Sequence, residues 1–269
     1  MTKVTWLALG LTIVLGTPRA YADFETLFSF EGATILIDGT TGTIATSGGA
    51  STSGSTITFS PGTISISNLV VSPTGTTSTS GAYMIGNMTI SSNSPGGSGA
   101  QIGISSSSIT DLGIFASGNL SITAGDTGFT SPSGNPVTLQ DNLSSVTAAA
   151  TNHLSASITF SGSLDNTNTQ FGTQQSLPPL TFTVPAGMTQ FGSATFTGAN
   201  AFAPYSLTEV ATVNLATHDP GGTPESLTAF NGTTGIGSIS TTPVPEPSSM
   251  LLLGMGLAGL AAWRQMRRF

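Results

Sequence analysis

Apolar and polar positions alternate through most of the chain. In Ile64-Ser65-Ile66-Ser67-Asn68-Leu69, in Leu154-Ser155-Ala156-Ser157-Ile158-Thr159-Phe160 and in Leu180-Thr181-Phe182-Thr183-Val184, apolar residues are interleaved with Ser and Thr. A period of two puts the apolar side chains on one face of an extended segment, as a half-buried antiparallel strand requires. Thr also suits strands intrinsically. The same pattern predicts strands over 33–37, 55–59, 83–90, 120–123, 193–197 and 205–215. Turn chemistry separates them at Asp38-Gly39, Pro61-Gly62, Pro95-Gly96-Gly97, Gly134-Asn135-Pro136 and Pro220-Gly221-Gly222. The expected body is all-β, a β-sandwich-like antiparallel structure. Ser145 to His153 is the one weak helical candidate. A Gly-, Pro- and Ser-rich stretch near 125–140 marks a candidate subdivision into two sandwiches. Residues 72–81 and 91–99 read as low-complexity loops.

The alternation stops at both ends. The N-terminus carries Lys3, an apolar run from Val4 to Gly16, and Ala20-Tyr21-Ala22. A positive start, a short apolar core and small residues at the −3 and −1 positions define a secretory signal peptide over 1–22, cleaved after Ala22. Its expected partner is the Sec translocon. At the other end Pro245-Glu246-Pro247 precedes Ser248, an apolar run from Met250 to Trp263, and the cations Arg264, Arg267 and Arg268. The prolines keep that stretch extended and open to an enzyme cleft. Ser248 is placed to cap the segment that follows. Residues 248–263 would make a single short transmembrane helix of about 24 Å at 1.5 Å per residue. That is shorter than the roughly 30 Å hydrocarbon core. The arginines would hold the tail in the cytoplasm. The expected organisation is a signal peptide (1–22), an exported β-rich body (23–236), a linker (237–243) and a C-terminal segment (244–269).

Composition sharpens this. Only 6% of the residues are charged, while Ser and Thr together number 81. Hydrophobic residues reach 38%, too many for a chain that stays disordered. The five basic residues are Lys3, Arg19, Arg264, Arg267 and Arg268, so the body has no Lys or Arg. Without a basic patch it cannot neutralise phosphates, and nucleic acid is excluded as a partner. The absence of cysteine excludes disulfides and thiolate chemistry.

The tail, with Pro245, Glu246 and Pro247, a short apolar helix and Arg264, Arg267 and Arg268, resembles the PEP-CTERM sorting signal. The resemblance covers about the last 25 residues. It implies recognition by an exosortase, a transpeptidase-like membrane enzyme of Gram-negative-type bacteria. It also implies passage through the inner membrane to the cell surface or extracellular matrix. The activity of the body does not follow from it.

Candidate chemistry in the body is sparse. His218-Asp219 reads as a turn, with no ordered nucleophile to complete a triad. His153 and His218 have no ligand spacing for zinc. Asp111, Asp126, Asp141 and Asp165 are the candidates for the paired carboxylates of a glycosidase, but Asp at such places ordinarily serves a turn or loop. No cofactor is expected. A surface Ca²⁺ site is left open by the excess of carboxylates, although Asp165-Asn166-Thr167-Asn168 has no Gly at the sixth place of an EF-hand loop. Four N-glycosylation sequons, beginning at Asn87, Asn119, Asn142 and Asn231, read as chance matches in a Ser/Thr-rich chain. The expected function is that of a non-enzymatic surface or biofilm-matrix structural protein, with exopolysaccharide as its candidate contact. The alternatives are a carbohydrate-binding or adhesive module and, less favoured, a polysaccharide-acting hydrolase. A carbohydrate module would want an aromatic platform, and Tyr83 and Tyr205 are the only tyrosines of the body, which has no Trp.

Overall fold

The computed structural model describes residues 23–73, 81–96, 99–112, 118–215 and 223–237. The predicted signal peptide with Ala20 and Ala22, the tail from Pro245 to Arg268, and His218 lie outside them. Sixteen strands and no helix occupy the described residues. In chain order they are β1 (Glu25–Phe30), β2 (Ala33–Asp38), β3 (Thr43–Ser47), β4 (Thr56–Ser60), β5 (Thr63–Val71), β6 (Tyr83–Ser92), β7 (Gly99–Ser106) and β8 (Ile109–Asp111). There follow β9 (Leu120–Phe129), β10 (Gly134–Ala148), β11 (Ala156–Asp165), β12 (Gln175–Ser176), β13 (Leu180–Val184), β14 (Thr189–Ala201), β15 (Tyr205–Asn214) and β16 (Ser226–Gly237).

Two antiparallel sheets result. One runs β12-β11-β15-β9-β1-β2-β3, with β13 also beside β11. The other runs β14-β10-β16-β7-β6-β5-β4, with β8 beside β16 and β6. The first half of the chain builds each sheet by local hairpins. Phe30 pairs with Ala33 around Glu31 and Gly32, whose φ angles are 48° and 84°. Two left-handed residues in a two-residue loop match the twist of the flanking strands, and Gly32 adopts that conformation without strain. The second half crosses between sheets. Residues 130–133 carry the chain from β9 in one sheet to β10 in the other.

Alternation decides which face is buried. Phe28 and Phe30 of β1, Ile35 and Ile37 of β2, Ile64 and Ile66 of β5, and Ile158 and Phe160 of β11 all point inward. Side chains from both sheets merge into one hydrophobic cluster. Each large apolar side chain buried there contributes about 1.5–3 kcal/mol. Phe30 meets Tyr83 edge-on at 5.1 Å, and Phe129 stacks on Tyr205 at 5.7 Å.

Two local expectations are corrected. Ser145 to His153 is not helical. Its first four residues finish β10, where Val146 and Ala148 turn into the core and β14 and β16 pair on either side. Tertiary pairing on both edges overrides a weak helical bias. Gly134-Asn135-Pro136 is not a free turn either. It opens β10, with irregular register up to Val137, a strand start where proline is tolerated.

Candidate functional site

The turn reading of the aspartates is also overturned. Asp111, Asp126, Asp141 and Asp165 all lie in strands and all are buried. Glu209 and Glu225 are buried as well. Asp165 does turn work: its Oδ1 accepts from the Thr167 N–H at 2.7 Å and the Thr167 hydroxyl at 2.6 Å. The alternation that marked core faces with Ile and Phe also placed acids on those faces, and a single acid in an apolar register is hard to tell from a loop residue.

The densest constellation sits between the sheets. In one sheet Gly162 of β11 pairs with Glu209 of β15. In the other Asp141 of β10 pairs with Thr234 of β16. These four residues interlock across the sandwich. Glu209 reaches the opposite sheet, where Oε1 accepts the Ile104 N–H at 3.1 Å and Oε2 the Thr234 N–H at 2.9 Å. The Thr234 hydroxyl donates to Asp141 Oδ1 at 2.8 Å. Gly162 packs directly against the Asp141 carboxyl. A Cβ on Gly162 would stand 2.0 Å from Asp141 Oδ1 and 2.4 Å from the Thr234 side chain, so only glycine admits this approach. Asp141, Glu209 and Thr234 are each 0% exposed.

Burial dominates the acid–base behaviour here. Desolvation pushes Asp141 up to about 6, against the hydrogen bond from Thr234. It raises Glu209 well above the ordinary carboxylate range, and repulsion from Asp141 adds to this. Asp126, also desolvated, is pushed up to about 7. Sequence reading named Asp141 but not Glu209, Thr234 or Gly162. The available signal was Glu209 in Tyr205–Asn214, an acid in a strand with no Lys or Arg anywhere in the body to pair with it.

The remaining candidates are dispersed. His153 is exposed, and its Nδ1 stands 3.4 Å from Glu225 Oε1, which also accepts the His153 N–H. Asp23, Glu25 and Asp38 bring carboxylate oxygens within 4.8 Å of one another near the start of the body. Their side chains are exposed to half-buried, and Asp38 already accepts from the Thr40 and Thr41 N–H groups at 2.8 Å each. The set supplies hard oxygen ligands suited to Ca²⁺. Tyr83 and Tyr205 are both buried and form no platform. Their hydroxyls serve the backbone instead: Tyr83 Oη donates to Gly118 O and accepts from Leu215 N–H, and Tyr205 Oη donates to Pro132 O.

The outer face of the β14-to-β4 sheet carries a shallow, uncharged groove of about 370 Å³. In register across three strands stand Gln140, Gly235 and Gln101. Gly235 and Gly237 form the floor, Gln140 and Asn142 one wall, and Gln101 and Asn93 the other. Asn93 is fixed by bonds to Gly99 O and Gln101 N–H, each 2.7 Å.

Fold and sequence ends together define an all-β, two-sheet body carrying a C-terminal sorting tail. That tail is the PEP-CTERM protein-sorting motif, whose family model matches residues 243–268. The motif marks an exported protein that passes the membrane and is handled by exosortase. No curated protein sequence matches the chain. Among solved structures, the enzymatically active domain of bacteriophage CBA120 tailspike protein 4 is 8% identical over 52% of this chain, with a TM-score of 0.25. The aligned part is 18% of the phage chain, and a likeness at that level has no bearing on function.

Proposed function

We propose that this is a non-enzymatic structural protein of the cell surface or extracellular matrix, delivered there by exosortase processing at Pro245-Glu246-Pro247. The observation that carries the reading is the sorting motif at 243–268. The body supports it. Its strongest carboxylate pair, Asp141 and Glu209, is sealed in the core and closed to a polymer chain, whereas a glycosidase pair must flank its substrate. The test is fractionation of cells producing either the native chain or one with Pro245, Glu246 and Pro247 replaced by alanine. The native protein is expected at the surface or in the matrix and the variant in the inner membrane. The same distribution for both would overturn the reading.

A second reading, binding of neutral polysaccharide, is favoured by the amide-walled groove. Side-chain amides and exposed backbone suit hydroxyl-rich ligands, and a glycine floor allows close approach. Replacing both Gln101 and Gln140 with alanine is expected to lower retention on immobilised neutral polysaccharide at least threefold without changing Tm. Equal retention would remove the groove from consideration.

A further inference from the structure

We infer that Thr234 Oγ1 and the carboxyl carbon of Asp141 condense inside the folded core to form an ester that cross-links β16 to β10, with loss of one water. The reacting groups of such a condensation are in place. The nucleophile is the Thr234 hydroxyl, 2.8 Å from Asp141 Oδ1. One carbon–oxygen bond of about 1.2 Å separates that oxygen from the carboxyl carbon, so the attacking atom is within about 4 Å of its target, close to a near-attack distance. Gly162 has no side chain and so leaves room beside the carboxyl for the tetrahedral carbon, since a Cβ there would stand 2.0 Å from Asp141 Oδ1. Glu209 Oε2 accepts the Thr234 N–H at 2.9 Å and so fixes the nucleophile's backbone. Asp141 Oδ2 has no hydrogen-bond partner although it is buried, an arrangement that costs free energy in a finished core.

The step balances without any further reagent. The Asp141 carboxyl starts as the neutral acid, which its dry surroundings favour below about pH 6. The Thr234 Oγ1–Cγ bond forms as the Thr234 proton passes along its hydrogen bond to Asp141 Oδ1. The tetrahedral carbon then expels the Oδ2 hydroxyl, which takes the proton from Oδ1 and leaves as water. Two buried hydroxyl protons and the orphan oxygen leave the core with it. Well-aligned groups react as if at concentrations of about 10⁵ M or more, and the 0% exposure of all three side chains keeps water from reversing the reaction. Directly opposed residues place their Cβ atoms about 4.5–5.5 Å apart. An ester spans close to the 3.8 Å of a trans amide, a closure like that of a cross-strand disulfide.

The chemistry stands apart from the sorting reading, but one consequence rests on it. β16 is the strand from which the chain runs to the sorting motif. A surface protein held through that end would take mechanical load on β16, and the ester would tie this strand covalently to its neighbour.

The experiment is intact mass of the mature, exported protein after denaturation, following incubation of the folded protein at pH 5 and pH 8. The expected result is a mass 18 Da below that of the sequence, reached faster at pH 5. Chymotryptic mapping, needed because the body has no Lys or Arg, should join the peptides bearing Asp141 and Thr234, and mild alkali should part them. Thr234→Val, which keeps the shape and removes the nucleophile, should have the full sequence mass, and Thr234→Ser should restore the loss. A folded wild type of full mass at both pH values overturns the inference. So does an 18 Da loss that persists in Thr234→Val, which would place the dehydration elsewhere.

Discussion

Buried acids govern this protein at the scale of the residue. Asp126 and, in its free-acid form, Asp141 carry folded pKa values of about 7 and about 6, above the 3.8 of an exposed aspartate, and Glu209 is shifted the same way. Such groups hold protons more tightly when folded. Their contribution is therefore fully present below about pH 4 and is lost as pH rises through 6 and 7. Unfolding followed by urea is expected to show a stability lower at pH 8 than at pH 5, by on the order of 2–4 kcal/mol at about 1.4 kcal/mol per unit. Asp126→Asn, which removes the charge, should narrow that difference. A pH-independent midpoint would contradict the burial assignments. At Gly162 the added methyl of an alanine would strike Asp141 and Thr234. Gly162→Ala is expected to cost about 1–3 kcal/mol, as overpacking does, read as a lower Tm. These residues were only partly legible in sequence. Asp141 was a carboxylate candidate, but pairing across two sheets joins positions 162, 209, 141 and 234, and no local pattern encodes that.

Elements were more legible than the contacts between them. Leu180–Val184 is a strand with the expected limits, and the predicted strands at 33–37, 55–59, 83–90 and 205–215 correspond to β2, β4, β6 and β15. Among those that escaped were strands poor in large apolar residues. β16, with Gly232, Gly235 and Gly237, and β7, with Gly99 and Gly103, show little alternation although their inward faces are as buried as any. β5 and β6 were predicted, but their alternation changes phase part-way. Asn68, with φ 57°, and Gly86 stand opposite each other where both strands shift their inward face by one residue, so Ile66 and Leu69 both reach the core. Left-handed φ favours Asn. Edge strand β14 has no charged residue, and Phe191 is 75% exposed. Unprotected edges invite pairing between molecules. Phe191→Lys is therefore expected to leave stability within about 0.5 kcal/mol and to reduce light scattering on concentration. Unchanged scattering would show that this edge is not where molecules associate.

For the whole molecule, the body explains why the chain depends on its ends. Its 23–236 segment has no Lys or Arg, and the sorting motif at 243–268 matches a known family model. That part of the function was legible because sorting enzymes read short linear signals. The body's own role was not, because hydroxyl-rich strands with buried acids carry no linear motif. The most direct measurement is the intact mass of the surface-exposed protein purified from its native cell. The expected mass corresponds to a chain that begins at Asp23 and has lost Arg264 to Phe269, less the 18 Da of the core ester. A surface protein that retains the Arg-rich end would contradict processing at the tail, and with it the proposal that a sorting enzyme delivers this β body to the cell surface.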